Sequence, residues 1–402
     1  MDVSITGVGI ATEAASLTEM VDTALRACGG GGPIVMASCN GGAASWDEAE
    51  WRTSFELGRG PIVSAACASG MHALYLARRM IETGIPEVRV VAADRITPPS
   101  RANFEALRVL SEAPAPYQSR ADGFRLGDAA VALHLTRSAA GPLLHGPVLG
   151  HDLDGDDALD RVLAAMGPHT PELVIGQGAG AAANDELELA AIARHIARDV
   201  PLTTALYSIG HTLGASSLLS VALAVQARTN VLAALELPDR IALDGRPLGP
   251  RRSQQTTVHC RALGGACGAC IVGGVAASVA APSGWGPRAA PPPLRDPVLR
   301  GVAAAVDARK PEVAPDLLVV TLDAPLHPAA RRGTRILPSS VLEMTPGFTA
   351  QLVARAWGFR GPALCLVGGD PAPLLATCRS SHERVYRIAI RGMEARDVEW
   401  DA

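Results

Sequence analysis

Cys67 lies in the stretch VSAACASGMHAL (63–74), at the corner between a strand-like apolar run and a run with helical spacing. A thiol there meets the outward N–H groups and partial positive charge of a helix start. It ionises more easily than the free value of about 8.5. The competing reading is packing, since free cysteine serves well as a small buried hydrophobe, and this stretch alone favours packing. His211 lies in YSIGHTLGASS (207–217), next to Gly210 and just ahead of a second helical run. A histidine on an apolar face is usually a core residue. One beside glycine at a strand–helix junction is open to close approach, and neutral imidazole can move protons near pH 7.

Three further stretches bear on chemistry. VIGQGAGAAANDELE (174–188) carries Gly176-x-Gly178-x-x-Ala181 after a strand-like run, a match to the dinucleotide fingerprint with alanine last. The following strand, PLTTALYS, ends without the acid that would hold a ribose, and Asp199 comes too early. RADGFRLGDAAVAL (120–133) is a charged turn running into a buried strand. Cys267 and Cys270 have CxxC spacing, with no second metal-ligating pair near them, which argues against zinc or a redox pair. The run Gly29 to Gly32 lacks the Gly-Lys-Ser/Thr of a phosphate loop.

Positioning these groups takes alternating strands and helices. Strand-like runs at 3–9, 33–38, 63–66, 88–94 and 129–135 alternate with helical runs at 17–27 and after Cys67, where Ala73, Ala77, Met80 and Ile81 share a face. A second cycle has strand-like runs at 171–176, 201–208 and 267–274 and helical runs at 186–197 and 213–227. Each cycle sets a reactive side chain at a small-residue corner. The pattern reads as a duplicated α/β unit around largely buried sheets. The expected organisation is an N-terminal half at 1–140, a second half at 141–280, a Pro/Gly-rich linker at 281–297 and a small α/β extension at 298–402.

Apolar residues make up 48% of the chain but aromatics only 3%, so Ala, Val, Leu and Ile must build the core. A formal net charge of −4 argues against nucleic acid or an anionic membrane as the main partner. The start MDVSITGVGIATEAAS lacks the pattern of a secretion signal. The uncharged run 262–282 is dominated by Gly and Ala, which reads as a buried strand entering the linker rather than a membrane span. Eight scattered cysteines in apolar runs suit reduced thiols in the cytoplasm.

Taken in order, these segments resemble the β-ketoacyl synthase family of the thiolase fold, the condensing enzymes of fatty-acid and polyketide synthesis. VSAACASGMHAL resembles the family's nucleophile elbow. RADGFRLGDAAVAL resembles its Asp-Gly-Phe…Gly-Glu-Gly segment, with Asp128 at the glutamate. GQGAGAAANDELE resembles His-Gly-Thr-Gly-Thr…Asn-Asp…Glu, with Gln177 at the first histidine. SIGHTLGASS resembles the second-histidine segment, with Leu206 where a lysine is usual. RALGGACGACIV resembles the terminal Gly-Phe-Gly-Gly strand, with Leu263 at the phenylalanine. The region before Cys67 is shorter than in typical members. In the tail, Gly361-Pro362 echoes Gly60-Pro61, but Gly369 and Asp370 occupy the nucleophile corner.

The resemblance implies a duplicated, layered α-β-α-β-α core with an extra C-terminal α/β segment, a reduced synthase-like or chain-length-factor-like half. It implies Cys67 as the acylated residue, His211 and Gln177 as its catalytic companions, and the backbone N–H groups of Cys67 and Leu263 as the oxyanion hole. Leu206, Leu263 and Gly264 are expected to shape the substrate pocket. Glutamine can donate a hydrogen bond but cannot act as acid or base, and a lost oxyanion donor costs about 10²–10³ in rate. Members of the family without the first histidine are often non-elongating transacylases. The expected activity is therefore acyl transfer from a carrier-protein thioester with weak or no decarboxylative elongation. The alternatives are an elongating synthase using Gln177, and a non-catalytic chain-length-factor-like partner. No cofactor or metal is expected. The expected partners are acyl carrier protein and, in a homodimer or heterodimer, a second synthase-like subunit.

Overall fold

The computed structural model describes residues 1–401 apart from 46, 48–49, 51–53, 58, 154–156, 230–239, 249–251, 275–278, 280–281, 287, 289–293, 295–296, 308–309, 326–344 and 392–396. Most of the expected linker lies outside the described residues, as does the 335–344 part of the tail resemblance.

The strands are β1 (Ser4–Ala11), β2 (Ile34–Ala37), β3 (Ile62–Val63), β4 (Glu87–Asp94), β5 (Ala129–Thr136), β6 (Leu144–His151), β7 (Leu173–Gly176) and β8 (Pro201–Thr204). They continue with β9 (Arg240–Ala242), β10 (Pro247–Leu248), β11 (Gln255–Arg261), β12 (Ala266–Gly273), β13 (Leu317–Leu322), β14 (Ala363–Val367), β15 (Val385–Arg391) and β16 (Asp397–Asp401). One sheet runs β1-β5-β4-β2-β3-β14-β13-β15-β16 and the other β10-β9-β8-β7-β11-β12-β6.

One unit recurs in these orders. β1-β5-β4-β2-β3 is joined antiparallel, antiparallel, parallel, parallel. β6-β12-β11-β7-β8 repeats that order with the same senses. In the tail, β16-β15-β13-β14 repeats it again without a counterpart of β1. The first unit and the tail meet where β3 pairs antiparallel with β14, Val63 opposite Leu366 and Ile62 opposite Val367.

The helices are α1 (Leu17–Cys28), α2 (Ser69–Glu82), α3 (Pro98–Leu107), α4 (Ala158–Ala165), α5 (Ala182–His195), α6 (Leu206–Ile209), α7 (Ser216–Thr229), α8 (Pro297–Asp307), α9 (Phe348–Trp357) and α10 (Ala372–Ser381). Successive strand residues point to opposite faces, so each sheet feeds two cores. Val35, Val63, Val90 and Val319 point inward with Ile175 and Val258 of the other sheet, onto α2, α7 and α10. Met36, Ile62, Val91 and Leu318 point outward onto α1, α8 and α9. Val174 and Ile271 point outward onto α4 and α5. The result is the expected α-β-α-β-α layering. The middle helices are apolar nearly all round because sheets cover both sides of them: Met71, Ala73, Leu74 and Leu76 of α2 are all fully buried.

One local reading changes. The 201–208 run leaves the sheet at Thr204 and turns into α6. Cys267 and Cys270 stand three apart on β12, hence on opposite faces, one in the outer core and one in the inner. They cannot share a metal, and among the described residues no cluster of ligating side chains forms. Nor is any described helix long and apolar enough to cross a membrane.

Candidate active site

The inner faces of the two halves meet at the N-termini of α2 and α7. Met71 N–H donates to Ser217 Oγ at 3.0 Å. Gly70 makes this approach possible, because a Cβ there would sit 2.9 Å from the Leu218 Cβ. The corners just ahead of the two helices carry Cys67 and His211. Each corner also holds a non-glycine residue in the left-handed region, Ala66 at φ 52° and Leu213 at φ 52°. Such strain persists only where surrounding contacts impose it, and it concentrates at functional turns. At the first corner Ala65 N–H donates to Ser69 Oγ, whose hydroxyl donates to Ala66 O.

Cys67, Gln177, His211 and Leu263 line one cavity of about 180 Å³. Leu263 is 41% and Leu187 49% exposed, and both belong to the cavity wall, so the cavity opens to solvent through an apolar mouth. Burial pushes the Cys67 thiol up to about 12, with Asp94 adding to the effect. The N–H groups of Cys67 and Leu263 point at the sulfur and pull the other way. The expected easing of ionisation at the helix start is therefore corrected: desolvation outweighs it.

His211 is held from several sides. Its N–H donates to Arg125 O at 2.6 Å, and its carbonyl accepts from Gly127 N–H. Phe124 stacks on the ring at 4.6 Å between centroids, and Phe104 approaches at 6.0 Å. Burial holds the imidazole down to about 4, so it is neutral at pH 7. Leu213 N–H donates to Nδ1 at 3.1 Å, which puts the proton of the neutral ring on Nε2. Gln177 Nε2 lies 3.2 Å from His211 Nε2. Both atoms then carry hydrogen. The pair bonds only when the carboxamide turns its oxygen to the ring, or when an acceptor enters between the two donors.

The dinucleotide reading fails on geometry. The N–H groups a pyrophosphate would need are already used: Gln177 and Gly178 donate to Glu188, and Gly180 donates to Asp185. Glu188 also accepts from Tyr117 Oη and from His259 Nε2. Burial opposes its charge, but these donors together hold its carboxyl below the usual range. The segment is a clamp for Gln177.

Sequence reasoning missed several positioning groups. Asp94 ends β4, and its carboxylate accepts from Ser38 Oγ, Cys39 N–H, Asn40 N–H and Gly214 N–H, tying the end of β2 to the turn after His211. Burial pushes it up to about 6 against these donors. The only hint was an acid closing the apolar run VRVVAAD. Phe124 was visible as part of the Asp-Gly-Phe segment, but not its stacking. Leu206 is buried in the inner core, and neither it nor Gly264 lines the cavity, so the structure does not bring these two to the substrate space. Asp128 accepts from Ile96 N–H and supports the turn ahead of α3.

Layering, strand order and paired corners define a thiolase-type fold. Comparison with known proteins agrees. The family models for the β-ketoacyl synthase N-terminal and C-terminal domains match residues 54–140 and 156–234. Over those two segments the chain matches the β-ketoacyl synthase family. It is 27% identical over 208 residues to the tetracenomycin polyketide synthase ketoacyl synthase alpha subunit of Streptomyces glaucescens, covering 44% of this chain and 49% of that one. It is 28% identical over 220 residues to a 3-oxoacyl-(acyl-carrier-protein) synthase 2 of Rhizobium meliloti, covering 46% and 50%. The chain spans about half the length of the curated relatives it matches. The fold is that of the PfaC keto synthase–chain length factor structure, at TM-score 0.65 and 11% identity, covering 90% of this chain and 62% of that one. A β-ketoacyl synthase from Burkholderia phymatum superposes at TM-score 0.54 and 17% identity, over 68% of this chain and 100% of that one.

Proposed function

We propose that the protein is an acyltransferase of the ketosynthase type, taking an acyl group from a carrier-protein thioester onto Cys67 and elongating it poorly or not at all. The observation that carries this reading is the shared cavity, with the sulfur facing two backbone N–H groups and a neutral imidazole beside a carboxamide. In the transfer step Cys67 Sγ attacks the thioester carbonyl. A carbon–sulfur bond to the enzyme forms, the bond to the carrier's pantetheine sulfur breaks, and the thiol proton ends on the leaving sulfur. The N–H groups of Cys67 and Leu263 bind the oxyanion as it develops.

For elongation, the enolate left by loss of carbon dioxide needs donors. His211 Nε2–H and the Gln177 amide can both turn to one oxygen, but neither carries charge at pH 7. Transfer is thereby favoured over condensation. Acyl carrier protein is the proposed partner. The solved relatives include a type II polyketide carrier protein in complex with its ketosynthase. We also propose that 298–402 is a reduced synthase-like half, an idea supported by its repeated strand order and its antiparallel seat on β3.

The test loads the protein from an acyl-carrier thioester, follows intact mass, then adds malonyl-carrier. An adduct that never grows supports transfer. A product longer by one two-carbon unit establishes condensation instead, and no adduct at all leaves a non-catalytic partner.

A further inference from the structure

The tail does more than extend the sheet. Its segment from Thr345 to Gln351 reaches the back of the candidate site at three points. The Thr345 side chain hydrogen-bonds Cys39, whose N–H is held by Asp94. Gly347 lies so close behind the elbow that a Cβ there would meet Ser64 O at 2.4 Å and the Ala65 Cα at 2.6 Å. Gln351 packs on Gly264, and the direction a side chain would take from that Cα ends 2.3 Å from Gln351 Oε1. Gln351 is only 3% exposed, and its Oε1 has no conventional hydrogen-bond partner among the described residues. The Cα–H of Gly264 points at this oxygen instead, the geometry of a weak C–H···O contact. Gly264 follows Leu263 in a turn closed by Gly265 N–H to Ala262 O at 2.9 Å.

We infer that Gln351 is a positioning residue for acyl transfer: delivered by α9 of the tail, it fixes the 262–265 turn so that Leu263 N–H faces the Cys67 sulfur. The inference rests on the acyl-transfer reading. A buried acceptor without a proper partner destabilises the fold, and a methionine of similar shape would be the more stable choice. A purely structural role therefore predicts the opposite of a positioning role when Gln351→Met is made.

The experiment compares wild type, Gln351→Met and Gln351→Glu for melting temperature, Cys67 alkylation by iodoacetamide, and Cys67 acylation by an acyl-carrier thioester. Alkylation passes through no oxyanion, whereas acylation needs the Leu263 N–H. Expected for Gln351→Met are an equal or higher melting temperature, unchanged alkylation, and acylation slowed at least about tenfold, a part of the roughly 10²–10³ that complete loss of an oxyanion donor costs. Gln351→Glu, which keeps the acceptor oxygen, restores part of the acylation rate. Equal acylation by wild type and Gln351→Met overturns the inference, and so does a parallel loss of alkylation and acylation. A wild-type protein that alkylates but takes no acyl group overturns the acyl-transfer reading itself, and this role with it.

Discussion

At the scale of the residue, the site is built from groups kept neutral by burial. The Cys67 thiol sits at about 12 and the His211 ring at about 4, so at pH 7 neither is charged. A group whose pKa is raised to 12 stays protonated through the physiological range, and its thiolate fraction grows about tenfold for each pH unit below that point. Alkylation of Cys67 by iodoacetamide should therefore climb steadily from pH 7 to 10 with no plateau. A plateau below pH 9 would mean an ion pair that this geometry lacks. Gln177 gives a second prediction. Gln177→His restores a second imidazole beside His211 and should raise the release of carbon dioxide from malonyl-carrier by at least about tenfold. Cys67, His211 and Gln177 were legible from their corners and from the family resemblance. Their pKa directions were not, because desolvation depends on what packs around a group and not on its neighbours in sequence.

At the scale of the element, two corners are locked by one carboxylate. Asp94 receives four donors from the end of β2 and from the turn that follows His211. In Asp94→Asn one acceptor becomes a donor facing donors, leaving at least one buried N–H unmet at a cost of about 1–3 kcal/mol. Denaturant unfolding should show that loss, and Cys67 acylation should slow with it, since the turn holding His211 Nδ1 loses its anchor. The long periodic elements, α1, α2, β4 and β5, were readable because their apolar spacing matches their burial. The run 63–66 was read as a strand, yet β3 pairs over only Ile62–Val63 before the elbow begins. Helix α3 went unread because its start signal is a Thr97–Ser100 capping box followed by little apolar periodicity. β6 and β11 went unread because their histidines, cysteine and glycines hide an apolar pattern that only full burial explains.

At the scale of the molecule, the repeated unit gives the chain its plan: two nearly full copies face each other across the middle helices, and a third, shorter copy closes the β3 edge. The Gly-Pro pairs at 60–61 and 361–362 were the legible trace of that third copy. Its register was not legible, since pairing between distant strands leaves little local mark. Because β14 backs the nucleophile strand, the account couples tail and site. Leu366 is 1% exposed and stands opposite Val63, so Leu366→Asp buries a charge at a cost of roughly 3 kcal/mol or more. Hydrogen exchange should then rise at residues 60–66 as well as in the tail, whereas an independent tail would open alone. The most direct measurement of the central claim is the mass of the intact protein after exposure to an acyl-carrier thioester, with Cys67→Ala alongside. The account predicts a gain of one acyl group on the wild type, mapped to the peptide holding Cys67, and none on the variant. An unmodified wild type, or equal labelling of the two proteins, would contradict it.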